Sequence, residues 1–324
     1  MEMNAVVCER YGAPEVLTLR KVPKPEPRPD QVLIAVGATS VTSACTLMRR
    51  GDTLMSRLVL GLLRPRVRFR IMGIEMAGTV ERTGARVTRF RPGDRVFGFT
   101  GFSAGSYAQY VCLPETASIA HSPAGLTDRE ACSLVDGPTT ALYFLRDRAR
   151  LKAGDRVVVV GASGSIGTAA VQLARFLGAE VTAVASGGNA ELVRSLGAHH
   201  VVDYTKDDFT QGGERYDVVF DTVGKSSFAA ARCCLVPRGR YLVTVGGLGA
   251  YLRDAWSRLF GSSRFVFGMS VEKREALGVV RDLVAHGALR PIIDRTWRLG
   301  DIVEAHRYVE SGRKKGNVVI EVGG

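Results

Sequence analysis

The stretch from Asp155 to Ser186, DRVVVVGASGSIGTAAVQLARFLGAEVTAVAS, constrains the fold of this chain more than any other. Arg156 to Val160 is an apolar, β-branched run, the pattern of a strand buried on both faces. Gly161, Gly164 and Gly167 follow at three-residue spacing. Thr168 to Leu177 then carries apolar residues at helical period, Gly178 is placed to stop that helix, and Val181 to Ala185 is a second β-branched run. A glycine turn between a strand and a helix brings backbone N–H groups and a helix N-terminus to a diphosphate, and glycine removes the Cβ that would block the approach. The reading is dinucleotide binding, in the form GxxGxxG; a tight packing turn is the alternative.

With 324 residues, the chain has room for about two domains at roughly 100–200 residues each. The hydrophobic fraction of 46% is enough for a substantial core and argues against a disordered chain. No signal-peptide pattern opens the chain, and Leu58 to Leu63, its longest apolar run near a membrane signal, is far too short to span a bilayer. The six cysteines form no CxxC pair or regular framework, so free thiols and a cytoplasmic location are expected. The net charge of +12 admits phosphorylated ligands or anionic surfaces, and no nucleic-acid motif accompanies it.

Residues 1–120 read as β-rich. Strands are expected at Val32 to Val36, Gly73 to Glu81, Arg95 to Phe99 and Gly105 to Val111, after an extended proline-rich approach from Pro23 to Pro29. Such short strands with turns between them suggest a barrel-like domain. Arg49 to Arg70 stands apart, with seven arginines against one aspartate interleaved with Leu54, Met55, Leu58, Val59, Leu60, Leu62 and Leu63. An amphipathic lid or surface helix would explain it; so would contact with an anionic substrate, an acidic partner or a membrane face. From Pro123 on, the texture changes. Thr127 to Ala149 reads as a helix opened by the capping box Thr127–Glu130. Beyond the glycine turn, helices at Ala190–Leu196 and Ser226–Leu235 are set among strands at His200–Tyr204, Val218–Asp221, Arg240–Val245 and Arg264–Met269, which predicts a parallel sheet. Helices at Lys273–His286 and Asp301–Ser311 and a strand at Asn317–Val322 close the chain, and this tail is expected to pack on the first domain.

In this order the stretches TSVTSACTLMRRG, GIEMAGTVERTGARVTRFRPGDRVFGF, GSYAQYV, AGDRVVVVGASGSIGTAAVQLARFLGAEV, LVRSLGAHHVVDYTKDDF, YDVVFDTVGKSSF and KKGNVVIEV resemble the medium-chain dehydrogenase/reductase superfamily, in its zinc-free quinone oxidoreductase-like branch. The resemblance covers nearly the whole chain. It implies an α/β protein with a GroES-like β-barrel catalytic domain (residues 1–120 and 269–324) and a Rossmann-type, doubly wound parallel-sheet cofactor domain (residues 121–268), with the active site in the cleft between them. It also implies a homodimer.

Carried over motif by motif, the resemblance places cofactor contacts at Gly161, Ser163, Gly164, Ser165, Ile166 and Gly167 in the turn, and at Ser186, Asn189 and Tyr204 around the adenosine phosphate. It adds Thr140, Val223, Gly224, Val245, Gly246, Gly247 and Asn317 along the cofactor cleft, and Thr42 at a position where relatives carry asparagine. The second strand ends at Ser186-Gly187-Gly188-Asn189 without the acid that would accept ribose hydroxyls and repel a 2′-phosphate, so NADPH is the expected cofactor. Relatives often carry a basic residue near position 188; glycine there removes a charge-assisted contact and weakens the expected discrimination.

Zinc-dependent members of the superfamily place their three catalytic ligands at positions matching Thr42, Ile74 and Asp136. Isoleucine cannot ligate, threonine is a poor ligand and one carboxylate does not hold zinc, so no metal is expected. Without a Lewis acid, hydride delivery to an electron-poor quinone or enone is easier than alcohol oxidation. The tyrosine that some relatives use as proton donor is missing from Cys45-Thr46-Leu47, which leaves Asp136 as the candidate acid, with Glu75 behind it and an N-cap or structural role as the competing reading. His121, His199, His200, His286 and His306 show no metal-ligand spacing and are expected mostly at the surface. Reduction of enoyl thioesters is the rival activity, and a non-catalytic NADPH-binding module is the rival of another class.

Overall fold

The computed structural model describes residues 1–101 and 104–323; the side chains of Leu54 and Met55, named in the arginine-rich segment, lie outside the described residues. In chain order the first elements are β1 (Glu2–Cys8), β2 (Leu17–Pro23), β3 (Gln31–Ser40), α1 (Ser43–Arg50), α2 (Leu54–Leu60), β4 (Glu75–Thr83), β5 (Arg95–Phe99), β6 (Tyr110–Pro114), β7 (Ser118–His121) and α3 (Asp128–Ser133). The central series is α4 (Asp136–Leu142), β8 (Arg156–Val160), α5 (Ser165–Phe176), β9 (Glu180–Ala185), α6 (Ala190–Ser195), β10 (His200–Asp203), β11 (Tyr216–Asp221), α7 (Phe228–Ala231), β12 (Leu235–Val243), α8 (Leu248–Phe260) and β13 (Arg264–Phe267). The chain ends with α9 (Arg274–Ala285), β14 (Ile293–Arg298), α10 (Ile302–Glu310) and β15 (Asn317–Glu321).

Two compact units result. The first comprises residues 1–136, 272–285 and 291–324; the second comprises 137–271 and 286–290. Residues 121–136, placed with the cofactor domain by the family resemblance, fall in the first unit.

The first unit is built on a seven-stranded sheet in the order β14-β15-β3-β4-β5-β7, with β6 also pairing β3, and on the separate hairpin β1-β2. Both chain ends contribute, because β15 pairs antiparallel with β3 through Val319↔Ser40. Alternating side chains of β3, β4 and β15, among them Val32, Ile34, Met76, Val80, Val318 and Ile320, meet in one apolar core. The second unit is a six-stranded parallel sheet in the order β10-β9-β8-β11-β12-β13. Val157, Val158 and Val159 on β8 are fully buried, as the unbroken β-branched run predicts for a central parallel strand. The order reverses between β8 and β11, so the carboxyl ends of these two strands and the start of α5 form the switch point at which such sheets bind ligands.

Several sequence expectations are corrected. The single helix over 127–149 is three pieces: α3, α4 and a π-helical turn at Tyr143–Arg148. The capping box at Thr127 forms, but Pro138 lacks an N–H and its ring would clash with the carbonyl four residues back, so the helix stops and restarts. The strand expected over 105–111 lies at Tyr110–Pro114, in the register set by its partner (Ala35↔Tyr110, Gln31↔Pro114). The helix over 226–235 shrinks to Phe228–Ala231, and β12 begins at Leu235, because Pro237 favours extended backbone before it and the β11–β12 register shifts there. Strands β2, β7 and β14 and helix α8 have no counterpart in the sequence reading.

Candidate active site

Glycine does the work in the turn after β8. Gly161 has φ +76°, and a Cβ there would stand 2.6 Å from Val223 Cγ1. A Cβ on Gly167 would stand 2.1 Å from the Gly161 carbonyl oxygen, so only glycine lets α5 start this close to the turn. Gly164 occupies the N-cap of α5 and provides no side-chain cap, which leaves the positive end of a twelve-residue helix to an outside acceptor. Beside it, the Asn189 amide donates to both Ser163 Oγ and Ser186 Oγ at 3.1 Å. Nothing lies within 4 Å of a Cβ built on Gly188. These features fit a dinucleotide: an uncapped helix end for the diphosphate, and neutral hydroxyl and amide groups with open space beyond the second strand.

The turn after β11 closes on the same place. A buried carboxylate, Asp221, organises it: Oδ1 accepts from the backbone N–H of Val223 (3.0 Å) and Gly224 (2.7 Å), and Oδ2 from the N–H (2.7 Å) and hydroxyl (2.8 Å) of Ser226. Val223 thereby reaches Gly161, and Val245 lies 3.2 Å from a Cβ on Gly224. The structure thus brings together the segments around Gly161, Val223–Gly224 and Val245. Gly246 is packed against Ala250 and Phe267, and Gly247 caps α8. Thr140 is buried on α4, and Tyr204 is exposed just beyond β10. Thr42, Asp136 and Asn317 belong to the first unit. There Asn317 donates its amide to the Ile292 carbonyl (3.1 Å), and the Thr42 hydroxyl caps α1 by accepting from Cys45 N–H (3.2 Å).

Sequence reasoning missed an acid beside the second strand. It comes from β10, not β9: a Cβ on Gly187 would stand 2.5 Å from Asp203 Oδ2. Hydrogen bonds from the Thr205 hydroxyl (2.8 Å) and N–H (3.0 Å) hold this carboxyl below the usual carboxylate range.

The first unit assembles a different kind of site. Asp136 Oδ1 forms an ion pair of 2.9 Å with Lys273 Nζ; the lysine side chain is wholly buried and the aspartate 27% exposed. The ammonium also lies 5.2 Å from the centre of the Phe99 ring. The backbone N–H of Asp136 donates to Glu75 Oε1 at 2.5 Å, and the Ser40 hydroxyl bonds Glu75 Oε2. Burial, and then the neighbouring Asp136 carboxylate, push Glu75 up to about 8, so it holds its proton at neutral pH. Burial lowers Lys314, whose ammonium donates to the Gly316 carbonyl (2.8 Å), to about 8. Lys273 was not singled out from sequence: 137 positions beyond Asp136, no motif marks it.

The cluster continues into the interior. Arg49 is fully buried, pairs with Glu310 and donates Nε–H to His306 Nδ1 at 3.3 Å. His306, expected at the surface, is also fully buried. Burial, reinforced by Arg49, lowers its pKa to about 3, so the neutral ring accepts at Nδ1 and donates Nε2–H to the Tyr107 oxygen at 3.2 Å. Tyr107 in turn donates to the Ser40 carbonyl at 3.3 Å.

Thr42, Ile74 and Asp136 give a capping hydroxyl, an aliphatic chain and a carboxylate held by an ammonium, a donor set that does not fit zinc. Among the described residues no group of three or more His, Cys, Asp or Glu is arranged to hold a metal.

Family models match in both units: "Alcohol dehydrogenase GroES-like domain" over residues 28–124 and "Zinc-binding dehydrogenase" over 196–320. A quinone oxidoreductase of Pseudomonas aeruginosa is 30% identical over 96% of this chain and 97% of its own length. The chain belongs to the medium-chain dehydrogenase/reductase superfamily, in its quinone oxidoreductase-like branch. A 2-methylene-furan-3-one reductase of Solanum lycopersicum is 30% identical over 98% of this chain and 79% of its own. Among solved structures, the quinone oxidoreductase from Coxiella burnetii superposes with a TM-score of 0.90 at 29% identity, covering 100% of both chains. As a medium-chain dehydrogenase/reductase, the protein is a nicotinamide-dependent oxidoreductase.

Proposed function

We propose that the protein is an NADPH-dependent, zinc-independent reductase of quinones or activated enones. The observation that carries this reading is the Asp136–Lys273 pair: where zinc-dependent relatives would hold a metal, this chain sets a carboxylate on a buried ammonium. Such a pair polarises no alcohol for oxidation, but it holds a proton and a positive charge ready for an oxygen that becomes negative during reduction. Bound NADPH would supply the hydride. The chain's own residues bind and orient: the α5 N-terminus takes the diphosphate, and Ser163, Ser186 and Asn189 offer uncharged hydrogen-bonding groups to the 2′-phosphate. Asp203, held in its charged form by Thr205, works against the 2′-phosphate from one side and makes the preference for NADPH a modest one. Asp136, a carboxylate in this pair, passes on only a proton that it draws from the Lys273 ammonium, and the ammonium fixes its position and charge. Quinone relatives and a furanone-reductase relative at 30% identity support the acceptor class.

The test is to follow NADPH and NADH absorbance with phenanthrenequinone, a simple enone and a crotonyl thioester. Turnover of the quinone or enone with NADPH preferred is expected. Turnover of the thioester alone would make the enzyme an enoyl-thioester reductase, and cofactor binding without any oxidation would make it a binding module. An Asp136→Asn variant with unchanged kinetics would remove Asp136 from the chemistry. A homodimer is the proposed assembly. The outer face of α8, with Leu248, Leu252, Trp256 and Leu259 exposed, is the surface a second copy would cover, and light scattering on Leu252→Lys tests it.

A further inference from the structure

The arginine-rich segment after α1 has two faces, and the inner one is firmly built. Leu60 and Phe69 are buried in the first unit. The Tyr11 hydroxyl donates to the Gly61 carbonyl at 2.6 Å, and the Arg57 guanidinium lies 5.2 Å from the Tyr11 ring centre while its Nε–H donates to the Gly51 carbonyl at 2.7 Å. Arg66 N–H closes the loop onto the Leu60 carbonyl at 2.7 Å. The segment is therefore anchored, and its outward side chains are exposed by construction.

Those outward side chains are aliphatic and cationic in alternation. Leu58, Val59, Leu62, Leu63 and Val67 are 53%, 44%, 56%, 86% and 76% exposed. Arg64, Arg66 and Arg68 stand exposed between and beside them, with no carboxylate partner among the described residues. By contrast Arg49, Arg50 and Arg70 of the same segment pair with Glu310, Asp52 and Glu9. Aliphatic side chains left in water next to arginines whose charge no described carboxylate balances, within one run of eleven residues (58–68), match the chemistry of a lipid–water interface. There apolar groups enter the acyl boundary while long cationic side chains reach back to phosphates. An acidic peptide would explain the arginines but not the five exposed aliphatic side chains.

We propose that residues 58–68 form a docking surface for an anionic phospholipid bilayer, on which the protein sits peripherally. Among the described residues no helix is long and apolar enough to cross a membrane, so the contact is interfacial. The proposal stands independently of which acceptor is reduced. Each arginine near an anionic surface multiplies partitioning by about fivefold, so three together account for about a hundredfold.

The test is co-sedimentation of the full chain with vesicles of phosphatidylcholine alone and of phosphatidylcholine mixed with phosphatidylglycerol, with soluble polyglutamate as a competitor. Binding to the mixed vesicles only is expected, partly reversed by salt. The triple variant Arg64→Glu/Arg66→Glu/Arg68→Glu should lose binding about a hundredfold or more, and Leu62→Ser/Leu63→Ser should abolish the salt-resistant fraction. Both variants should keep wild-type reductase activity on a soluble acceptor, which shows that they are folded. Equal binding to neutral vesicles, unchanged sedimentation of either variant, or capture by polyglutamate without any vesicle binding would overturn the proposal; the last result would point to an acidic protein partner.

Discussion

The glycine turn of the second unit and the ionic cluster of the first are built from opposite materials. The turn works through what is missing: no Cβ at Gly161 or Gly167, no side-chain cap at Gly164 and open space at Gly188. Its residues lie within one strand–turn–helix, and its chemistry is backbone chemistry. The cluster works through side chains from five places, Ser40, Glu75, Asp136, Lys273 and Lys314, which only the fold assembles. A backbone site tolerates almost no added atom. A side-chain site tolerates shape changes but not an unbalanced charge, because a buried ion without its partner costs far more than the pair contributes.

The sharpest way to break this contrast is Gly167→Ala. One methyl group aimed at the Gly161 carbonyl should lower dinucleotide affinity about a hundredfold and stability by about 3 kcal/mol, read by titration calorimetry and thermal melting. An alanine variant that binds cofactor normally would show that the turn has slack the geometry denies.

The cluster should respond asymmetrically. Asp136→Asn leaves the wholly buried Lys273 ammonium without its carboxylate and should cost about 3 kcal/mol, whereas Lys273→Met leaves a partly exposed aspartate and should cost about 2 kcal/mol. Chemical denaturation of both singles and the double variant gives the coupling; strictly additive effects would mean the pair is not an energetic unit.

Glu75→Gln tests the protonated carboxyl. The folded-state pKa is raised from 4.5 to about 8, so between those values the unfolded chain ionises while the folded one keeps its proton. Stability from this group is therefore full below about pH 4.5 and lost as pH rises towards 8. Asp136, Lys273 and Lys314 all face it, and the first opposes its ionisation while the lysines favour it. Removing the titration should flatten the stability profile across that window by up to about 5 kcal/mol, measured by denaturation at several pH values. An unchanged slope would place the charge elsewhere.

The smallest effect is expected at Asp203→Asn. Removing a negative charge beside Gly187 should raise the ratio of kcat/KM for NADPH over NADH by about threefold, because solvent screens the repulsion from this partly exposed carboxylate. A change of a hundredfold would show that Asp203, and not the neutral Ser186–Asn189 end, governs the choice.

Much of the first region was legible before any coordinates. The four valines of β8 and the glycine spacing specify strand, turn and helix locally, since one residue's Cβ decides whether the backbone can make the turn. Asp221 shows the limit of that legibility: its place in DTVG is visible, but its role in fixing the turn depends on six donors converging on one carboxylate. The arginine-rich segment shows a sharper limit. Composition made Arg49 and Arg66 alike, yet one is fully buried against His306 and Glu310 and the other faces solvent. His306 likewise carries no mark that it will be buried and neutral.

The sequence by itself determined the parallel sheet, strands β3, β4, β5 and β15 of the first unit, the glycine turn and the poor donor set at Thr42, Ile74 and Asp136, because these follow from local sterics, side-chain periodicity and ligand chemistry. Only the tertiary structure decided that Asp136 meets Lys273, that Glu75 keeps a proton and that Asp203 lies beside the second strand. Charge pairing and burial depend on distances between residues far apart in the chain, and those distances exist only once the strands and helices have packed.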